Sequence, residues 1–254
     1  MKVKLPIIVA LCLFTSLMSA QQSENNAQKP IYVGSPTSVI KVPAISSRNT
    51  LVRPDLSRAT VMQDGRASKY DIVPGKGSTG DDPLIQNPSK LKNAIVSREV
   101  DLVFETATSS SQPTDPAAAV GPNHYVTVTN TAFQIFDKNG ASLTGGLLAP
   151  NPTIFPGGGC CDLTASYDNA ADRYVLTFLG GGVQVAISDG PDPVNDGWTV
   201  YTYTAVSDYQ KLSVWRDGYY MTENTGSVNK IHVFERDKMI SGDPTAQIVS
   251  FALP

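Results

Sequence analysis

Three aspartates at a nearly constant spacing are the residues of this sequence whose chemistry and placement first suggest a site. Asp115, Asp162 and Asp208 each open a similar stretch, and they are 162 − 115 = 47 and 208 − 162 = 46 residues apart. Three converging carboxylates could hold Ca²⁺, a hard cation that takes oxygen ligands. Aspartates also cap turns by accepting backbone N–H bonds. Because the three recur regularly, capping is the favoured interpretation and a Ca²⁺ site the alternative.

The other reactive side chains do not form a recognisable catalytic set. His124 and His232 are the two histidines of the chain, and neither has a second His or Cys at ligand spacing. The serines are numerous, and none is marked by a motif for a nucleophile. The sequence therefore predicts no catalytic residue, and no cofactor other than the candidate Ca²⁺.

The three aspartates lead into a repeated unit that would have to position them. Each unit passes through a polar turn into a strand led by Tyr125, Tyr174 or Tyr220, which we expect to be buried between sheets. A companion strand follows in each unit. Two-strand units at this period are typical of β-propeller blades. The units are residues 115–130, 162–178 and 208–224, with companion strands at 133–137, 183–187 and 231–235.

The repeats predict an all-β fold, with a partial β-propeller of about three blades over residues 95–254. The blades are expected as antiparallel four-stranded sheets arranged side by side. Residues 115–254 number 140, which is enough for about three units, whereas propellers have four to eight blades. We therefore expect an incomplete ring, the N-terminal part of a longer propeller. Its first and last sheets would expose apolar faces that favour association.

Residues 21–94 differ in composition from the repeats. Seven of the eighteen prolines lie there, and the segment contains no Phe and no Trp. This composition favours an extended leader or linker that the repeats do not need for folding. The alternative is a pro-segment or a small β-extension packed on the repeats. Val100–Glu105 is predicted to be a short strand at the start of the ordered region.

Residues 1–20 have the features of a secretory signal peptide. Lys2 and Lys4 precede an apolar run from Leu5 to Leu17, which is too short for a membrane span. Removing them leaves 20 − 2 = 18 basic and 23 acidic residues, a net charge of −5. No basic run remains that could bind nucleic acid. The chain is predicted to be secreted or at the cell surface, with no membrane span after signal removal.

Two cysteines and two tryptophans give further expectations. Cys160 and Cys161 are adjacent, and an oxidising compartment favours a disulfide. They could pair with each other, although neighbouring Cα atoms are closer than in ordinary disulfides, or with partners in a missing C-terminal part.

Trp198 and Trp215 do not recur in the repeats, and we expect both to pack in the core. The alternative is that one of them is a platform for a ligand.

The repeated stretches resemble a known group of proteins. DPAAAVGPNH at residues 115–124 and YDNAADRY at residues 167–174 resemble the D-P-x-x-A-V-G-P-N-H and Y-D-x-x-x-x-R-[WY] signatures of secreted bacterial β-propeller-type proteins. The resemblance covers about residues 100–254. It implies export and a propeller-like fold, and it implies no particular activity.

Two functions fit these observations. The first is an exported, non-enzymatic module for binding or adhesion to an extracellular glycan or protein. The second is an extracellular polysaccharide hydrolase or lyase whose site needs blades beyond the three. That enzyme would need a non-repeating cluster of polar side chains, for instance around Asp168, Asp172, Arg173 and Tyr209. Because fold alone does not decide function, both stay open at this point.

Overall fold

The computed structural model describes residues 28–55, 102–106, 109–224 and 230–253. The predicted signal peptide and the predicted boundary at residue 94 lie outside these ranges. The strands are β1 (Tyr32–Gly34), β2 (Ser38–Val42), β3 (Ala117–Val120), β4 (His124–Thr129), β5 (Ala132–Asp137), β6 (Cys161–Asp168), β7 (Arg173–Leu179), β8 (Val183–Ser188), β9 (Trp198–Tyr203), β10 (Lys211–Val214), β11 (Tyr219–Thr222), β12 (Lys230–Phe234) and β13 (Ile248–Ala252). Two short helices, α1 (Pro150–Thr153) and α2 (Arg236–Ser241), and a 3₁₀ turn at Ile45–Ser47 accompany them.

The strands form three antiparallel sheets, so the all-β prediction is confirmed. Sheet I has the strand order β3-β4-β5, sheet II the order β2-β9-β8-β7-β6 and sheet III the order β1-β13-β12-β11-β10. Sheets II and III therefore contain four consecutive strands of the repeat and one strand from the leader, while sheet I has three strands. The three sheets do not close into a ring.

Sheet II lies between the other two, and alternation along its strands explains why it is buried on both sides. Tyr174 and Leu176 join a core cluster with sheet I, whereas Val175 joins a second cluster with sheet III. Successive side chains of a strand point to opposite faces. The mainly apolar strands β7 and β8 therefore fill two cores, as expected for strands covered on both faces.

The first strands of the three sheets, β3, β6 and β10, lie next to one another. Side chains from one sheet bond the backbone of the next at this edge. Asn130 Oδ1 accepts a hydrogen bond from the Asp162 amide at 2.7 Å, and Gln210 Nε2 donates to the Asp162 carbonyl at 2.6 Å. Strands β3, β6 and β10 thus form the edge at which the three sheets meet, which we call the inner edge. The two hydrogen bonds hold the backbone at Asp162 in place there.

The described part of the leader is a β-extension of the repeats, the arrangement that the sequence offered only as an alternative. Strand β1 pairs with β13, and β2 pairs with β9 along its whole length. Val42 and Ile45 are buried in the core. Residues 102–106 contain no strand, so the short strand predicted at Val100–Glu105 is not found in the described part of that segment.

The register of the third repeat corrects the assignment of one residue. Tyr174 pairs with Tyr167, and the corresponding pair in sheet III is Val214 with Tyr219. Tyr219 is therefore the counterpart of Tyr174, and both are fully buried. Tyr220 points to the opposite face and is half-buried, so the prediction that it is buried was displaced by one residue. Tyr125 is also only half-buried.

Candidate functional site

Two of the repeat aspartates, Asp115 and Asp162, line a cavity of about 340 Å³ at the beginning of strands β3, β6 and β10, which we call the start cavity. Asp115 and Asp162 both have left-handed backbone, with φ of 43° and 54°. Tyr209 at the start of the third unit has the same conformation, with φ of 44°, and Asp172 in the turn before β7 has it as well, with φ of 57°. Because Tyr209 follows Asp162 by 47 residues, it is the true third counterpart. Asp208 lies one residue earlier and is exposed.

The carboxylates of the start cavity influence one another. Burial raises the pKa of Asp162, and the neighbouring charges of Asp208 and Asp115 raise it further, while Lys211 opposes the shift. The Lys211 Nζ atom lies 3.3 Å from the centre of the Tyr209 ring. A tyrosine and a lysine therefore occupy the side of the cavity where a third carboxylate was expected.

The carboxylates of Asp162 and Asp208 accept hydrogen bonds from residues that are distant in the chain. The Asp162 carboxylate accepts a bond from the backbone N–H of Tyr209, and Asp208 Oδ2 accepts one from the Asn224 side chain at 3.3 Å. Among the described residues, no group of three or more His, Cys, Asp or Glu side chains is placed to hold a metal ion. The Ca²⁺ site formed by Asp115, Asp162 and Asp208 and its alternative, the capping of turns, both stay predictions.

A second cavity, of about 600 Å³, opens where the inner strands end in turns, and we call it the turn cavity. Trp215 lies on its rim with 67% of its surface exposed, whereas Trp198 is fully buried. The expectation that both tryptophans pack in the core is thus correct for Trp198 and wrong for Trp215. The lining residues are Asp168, Asn169, Ala170, Val214, Trp215 and Arg216.

A buried ion pair supports the wall of the turn cavity. Arg236, the first residue of α2, donates to Asp168 through Nε at 2.6 Å and Nη2 at 2.9 Å, and the Tyr219 hydroxyl donates to the same carboxylate at 2.9 Å. Burial alone would raise the pKa of Asp168, but the hydrogen bonds from Arg236 and Tyr219 outweigh it and hold this pKa below its ordinary value. Asp168 is therefore a charged structural anchor.

Of the residues suggested for a hydrolase cluster, Asp168, Asp172 and Arg173 share the hairpin of β6 and β7, whereas Tyr209 does not join them. Asp172 accepts a hydrogen bond from the Tyr167 hydroxyl, and Arg173 donates to the backbone carbonyls of Ala171 and Asp172. Tyr209 lines the start cavity instead. With Asp168 engaged by Arg236, this set offers no pair of free carboxylates.

The structure also joins three polar residues that the sequence did not connect. His232 Nδ1 lies 2.7 Å from the Ser250 hydroxyl, and its Nε2 lies 3.0 Å from Glu223 Oε1. In sheet II the corresponding positions are the apolar residues Phe178, Ala186 and Val200. Polar residues at repeat positions that are otherwise apolar are the one sequence signal that could have identified this trio.

The trio resembles a Ser-His-acid arrangement in composition, but its side chains lack access to solvent. The His232 and Glu223 side chains are each 1% exposed, and Ser250 is 1% exposed as a whole residue. Burial lowers the pKa of His232 and outweighs the opposing effect of Glu223. Burial would raise the pKa of Glu223, but hydrogen bonds from Ser207 and His232 outweigh it and lower this pKa. A neutral imidazole between a hydroxyl and a carboxylate is a satisfied core network.

The adjacent cysteines form a disulfide with each other. Of the two pairings that the sequence left open, the structure has the one between Cys160 and Cys161. The disulfide lies immediately before Asp162, at the entrance to strand β6. The two bonded residues therefore belong to the segment that leads into the start cavity.

Comparison of the chain with protein-family models, with curated proteins and with solved structures finds no match. In the ranges that the structure describes, no helix is long and apolar enough to cross a membrane.

Proposed function

We propose that this chain is an exported, propeller-like binding module that holds an extracellular glycan at the turn cavity. Exposure of Trp215 on the rim of that cavity is the observation that carries the proposal. Trp198 and the aromatic residues Tyr174, Tyr201, Tyr203 and Tyr219 are fully buried. A large aromatic ring exposed beside a cavity offers a platform on which a ligand can stack.

The chemistry of the turn cavity suits a sugar. The face of the Trp215 ring carries negative electrostatic potential and can attract the polarised C–H groups of a pyranose. Asn169 offers both a donor and an acceptor, and Arg216 offers donors only. These groups can pair with sugar hydroxyls next to the ring. The arrangement combines an apolar platform with a few convergent polar groups, as small-ligand sites do.

The proposed propeller-like arrangement would put this site at one end of a central channel. Three sheets stack face to face and share an inner edge formed by β3, β6 and β10. The turns that follow those strands therefore lie at one end of the stack. In propellers such turns surround the end of the central channel. A ligand at the turn cavity would lie at that end.

Binding to a panel of oligosaccharides, measured by calorimetry, tests the proposal. We expect at least one glycan to bind, and Trp215→Ala to weaken its binding by about tenfold or more, which corresponds to the loss of about 1.4 kcal/mol. Tyr32→Ala is the matched control, because Tyr32 is an exposed aromatic residue away from the cavity, and it should leave affinity unchanged. Failure to bind any glycan, or equal loss in both variants, would contradict the proposal.

Analysis of reaction products separates binding from catalysis. Incubating the chain with bound polysaccharides and analysing the products by chromatography should show intact substrate. Shortened or unsaturated products would instead support the alternative, an extracellular hydrolase or lyase. Binding to an extracellular protein but to no glycan would mean that the partner is a protein.

A further inference from the structure

Trp215 and Arg216 reach the turn cavity from one tight turn, which joins β10 to β11. The Trp215 N–H donates to the Gly218 carbonyl at 3.1 Å, so that Arg216 and Asp217 form the turn between the paired residues. The Arg216 carbonyl also accepts a hydrogen bond from Nη1 of the buried Arg236 at 3.4 Å. The backbone that carries both side chains is therefore held by hydrogen bonds of the protein itself.

The other turn at the cavity contributes an acid whose charge is already balanced. Asp168 lines the cavity, and its carboxylate accepts hydrogen bonds from Arg236 and from the Tyr219 hydroxyl. Its Oδ1 atom also accepts from the backbone N–H groups of Ala170 and Ala171, at 3.1 Å each. Because Arg236 neutralises Asp168 and these donors occupy both of its oxygens, this wall would do little to repel an anion.

Arg216 is left as the unbalanced charge of the turn cavity. It is exposed, and among the described residues its guanidinium has no hydrogen-bond or ion-pair partner. The two acids next to the site are engaged elsewhere, because Asp217 accepts a hydrogen bond from the Tyr220 hydroxyl at 3.0 Å and Asp237 lies 2.8 Å from Arg236. Neither acid lines the cavity. The cavity therefore carries a local positive charge.

From this charge we propose that the glycan held at the turn cavity is acidic, with its carboxylate or sulfate group paired with Arg216 and a sugar ring on Trp215. This ligand class rests on the proposed function, because it presupposes that a glycan binds there. A uronic acid and a sulfated sugar both supply anionic oxygens. A guanidinium binds such oxygens through two parallel hydrogen bonds, since its donors form a planar fork.

A neutral glycan suits the same site less well. Covering Arg216 with a sugar removes water from its guanidinium, and a buried charge is costly unless it is paired. A hydroxyl compensates part of that loss through a hydrogen bond, whereas an anionic group also supplies the opposite charge. Arg216 would thus select acidic over neutral glycans, while Trp215 would contribute to the binding of both.

The glycans that bind in the oligosaccharide panel test this preference. The panel includes oligogalacturonate, a carrageenan oligosaccharide and neutral oligosaccharides, and each acidic glycan that binds is compared with its neutral form. That form is the methyl ester for a uronic acid and the desulfated sugar for a sulfate ester, so the two sources are distinguished. We expect the acidic form to bind about tenfold or more tightly at low ionic strength, and salt to reduce the difference.

Substitution of Arg216 assigns the preference to this residue. Arg216→Gln should weaken binding of the acidic form by about tenfold and leave the neutral form unchanged. Arg216→Lys should have an intermediate effect, because it keeps the charge and loses the fork. Lys41→Gln is the matched control: it removes the same charge from a side chain that is 65% exposed and paired with Asp189 on sheet II, and it should change neither affinity.

The possible failures have different meanings. Binding of neutral glycans alone, or equal binding of acidic and neutral forms with dependence on Trp215, would overturn the acidic preference and leave the proposed function standing. A preference that persists in Arg216→Gln, or that Lys41→Gln reduces as much, would also overturn it. Binding of no glycan would contradict the proposed function and the preference together.

Discussion

Sheets II and III have corresponding strands and the same registers, but their outward faces have different surroundings. Val175 and Val185 of sheet II are fully buried against sheet III, while their counterparts Tyr220 and Ile231 are half-exposed. The apolar pattern is therefore a property of the repeat, whereas burial depends on whether another sheet is present. A residue can therefore have the apolar side chain of a core position without being buried in a core.

The inward faces of the same two sheets differ in the opposite way. Sheet II has Phe178, Ala186 and Val200 in the core with sheet I. Sheet III has Glu223, His232 and Ser250 at the corresponding positions, each hydrogen-bonded to another member of the trio. A buried polar group is tolerated when it is fully bonded, and it is costly when it is not. The comparison leads to four predictions.

The largest effect is expected from deleting residues 28–55. The deletion removes Val42 and Ile45 from the core, each worth about 1.5–3 kcal/mol when fully buried, and it leaves β9 and β13 as bare edges. Unpaired edge strands favour aggregation. In urea unfolding followed by fluorescence we expect loss of the cooperative transition. A deleted chain as stable as the parent would show that sheets II and III do not need their fifth strands.

Asp168→Ala should have the next largest effect. It leaves the Arg236 guanidinium without its main partner in a buried site, and breaking a buried pair in this way costs about 3–5 kcal/mol. The free energy of unfolding in urea measures the loss. Asp237→Ala is the control, since Asp237 also bonds Arg236, at 2.8 Å, but has an 86% exposed side chain. Equal effects of the two substitutions would contradict a special role for the buried pair.

The polar trio of sheet III should make the stability of the protein depend on pH. The pKa values of His232 and Glu223 are both lowered on folding, so the unfolded chain binds more protons at acidic pH. This contribution is fully present above the ordinary histidine pKa of about 6.5 and is lost progressively as the pH falls. We expect the thermal midpoint to decrease between pH 7 and pH 5. His232→Ala should be less stable at pH 7 but should have a flatter profile between pH 7 and 5, and an unchanged slope would contradict the assignment.

The smallest effect tests the corrected register. Tyr219→Phe removes a buried hydroxyl that donates to the Asp168 carboxylate, and a hydrogen bond to a charged group contributes about 1.5–3 kcal/mol. Tyr220→Phe removes a hydroxyl bonded to the exposed Asp217 and should change stability little. Chemical denaturation of the two variants gives the comparison. A larger loss in Tyr220→Phe would favour the alignment in which Tyr220 is the repeat residue.

The sequence predicted the strands better than their exact equivalence. The companion strands expected at 133–137, 183–187 and 231–235 coincide with β5, β8 and β12 to within one residue. In the third repeat both assigned residues lie one position from the structural counterparts, because Asp208 immediately precedes Tyr209 and Tyr220 immediately follows Tyr219. Successive residues of a strand point to opposite faces, so this shift exchanged a buried tyrosine for a half-exposed one.

The candidate site was harder to predict than the fold. Trp215 carries no sign of exposure in the sequence, because a large aromatic is most often buried. The turn cavity combines residues 168–170 with residues 214–216, which meet only when sheets II and III stack. Arg236 likewise reaches Asp168 across 68 positions of the chain. The spacing of residues along the sequence cannot reveal such contacts between distant segments.

By itself the sequence determined the all-β class and the apolar alternation of its strands, because these depend on neighbouring residues. Only the tertiary structure decided that the leader supplies β1 and β2, that Cys160 bonds Cys161, and that His232 lies between Glu223 and Ser250. Those outcomes depend on which sheets and edges come into contact. Contacts between distant segments are fixed by packing rather than by local propensity, since one face of each strand fits only against a particular neighbour.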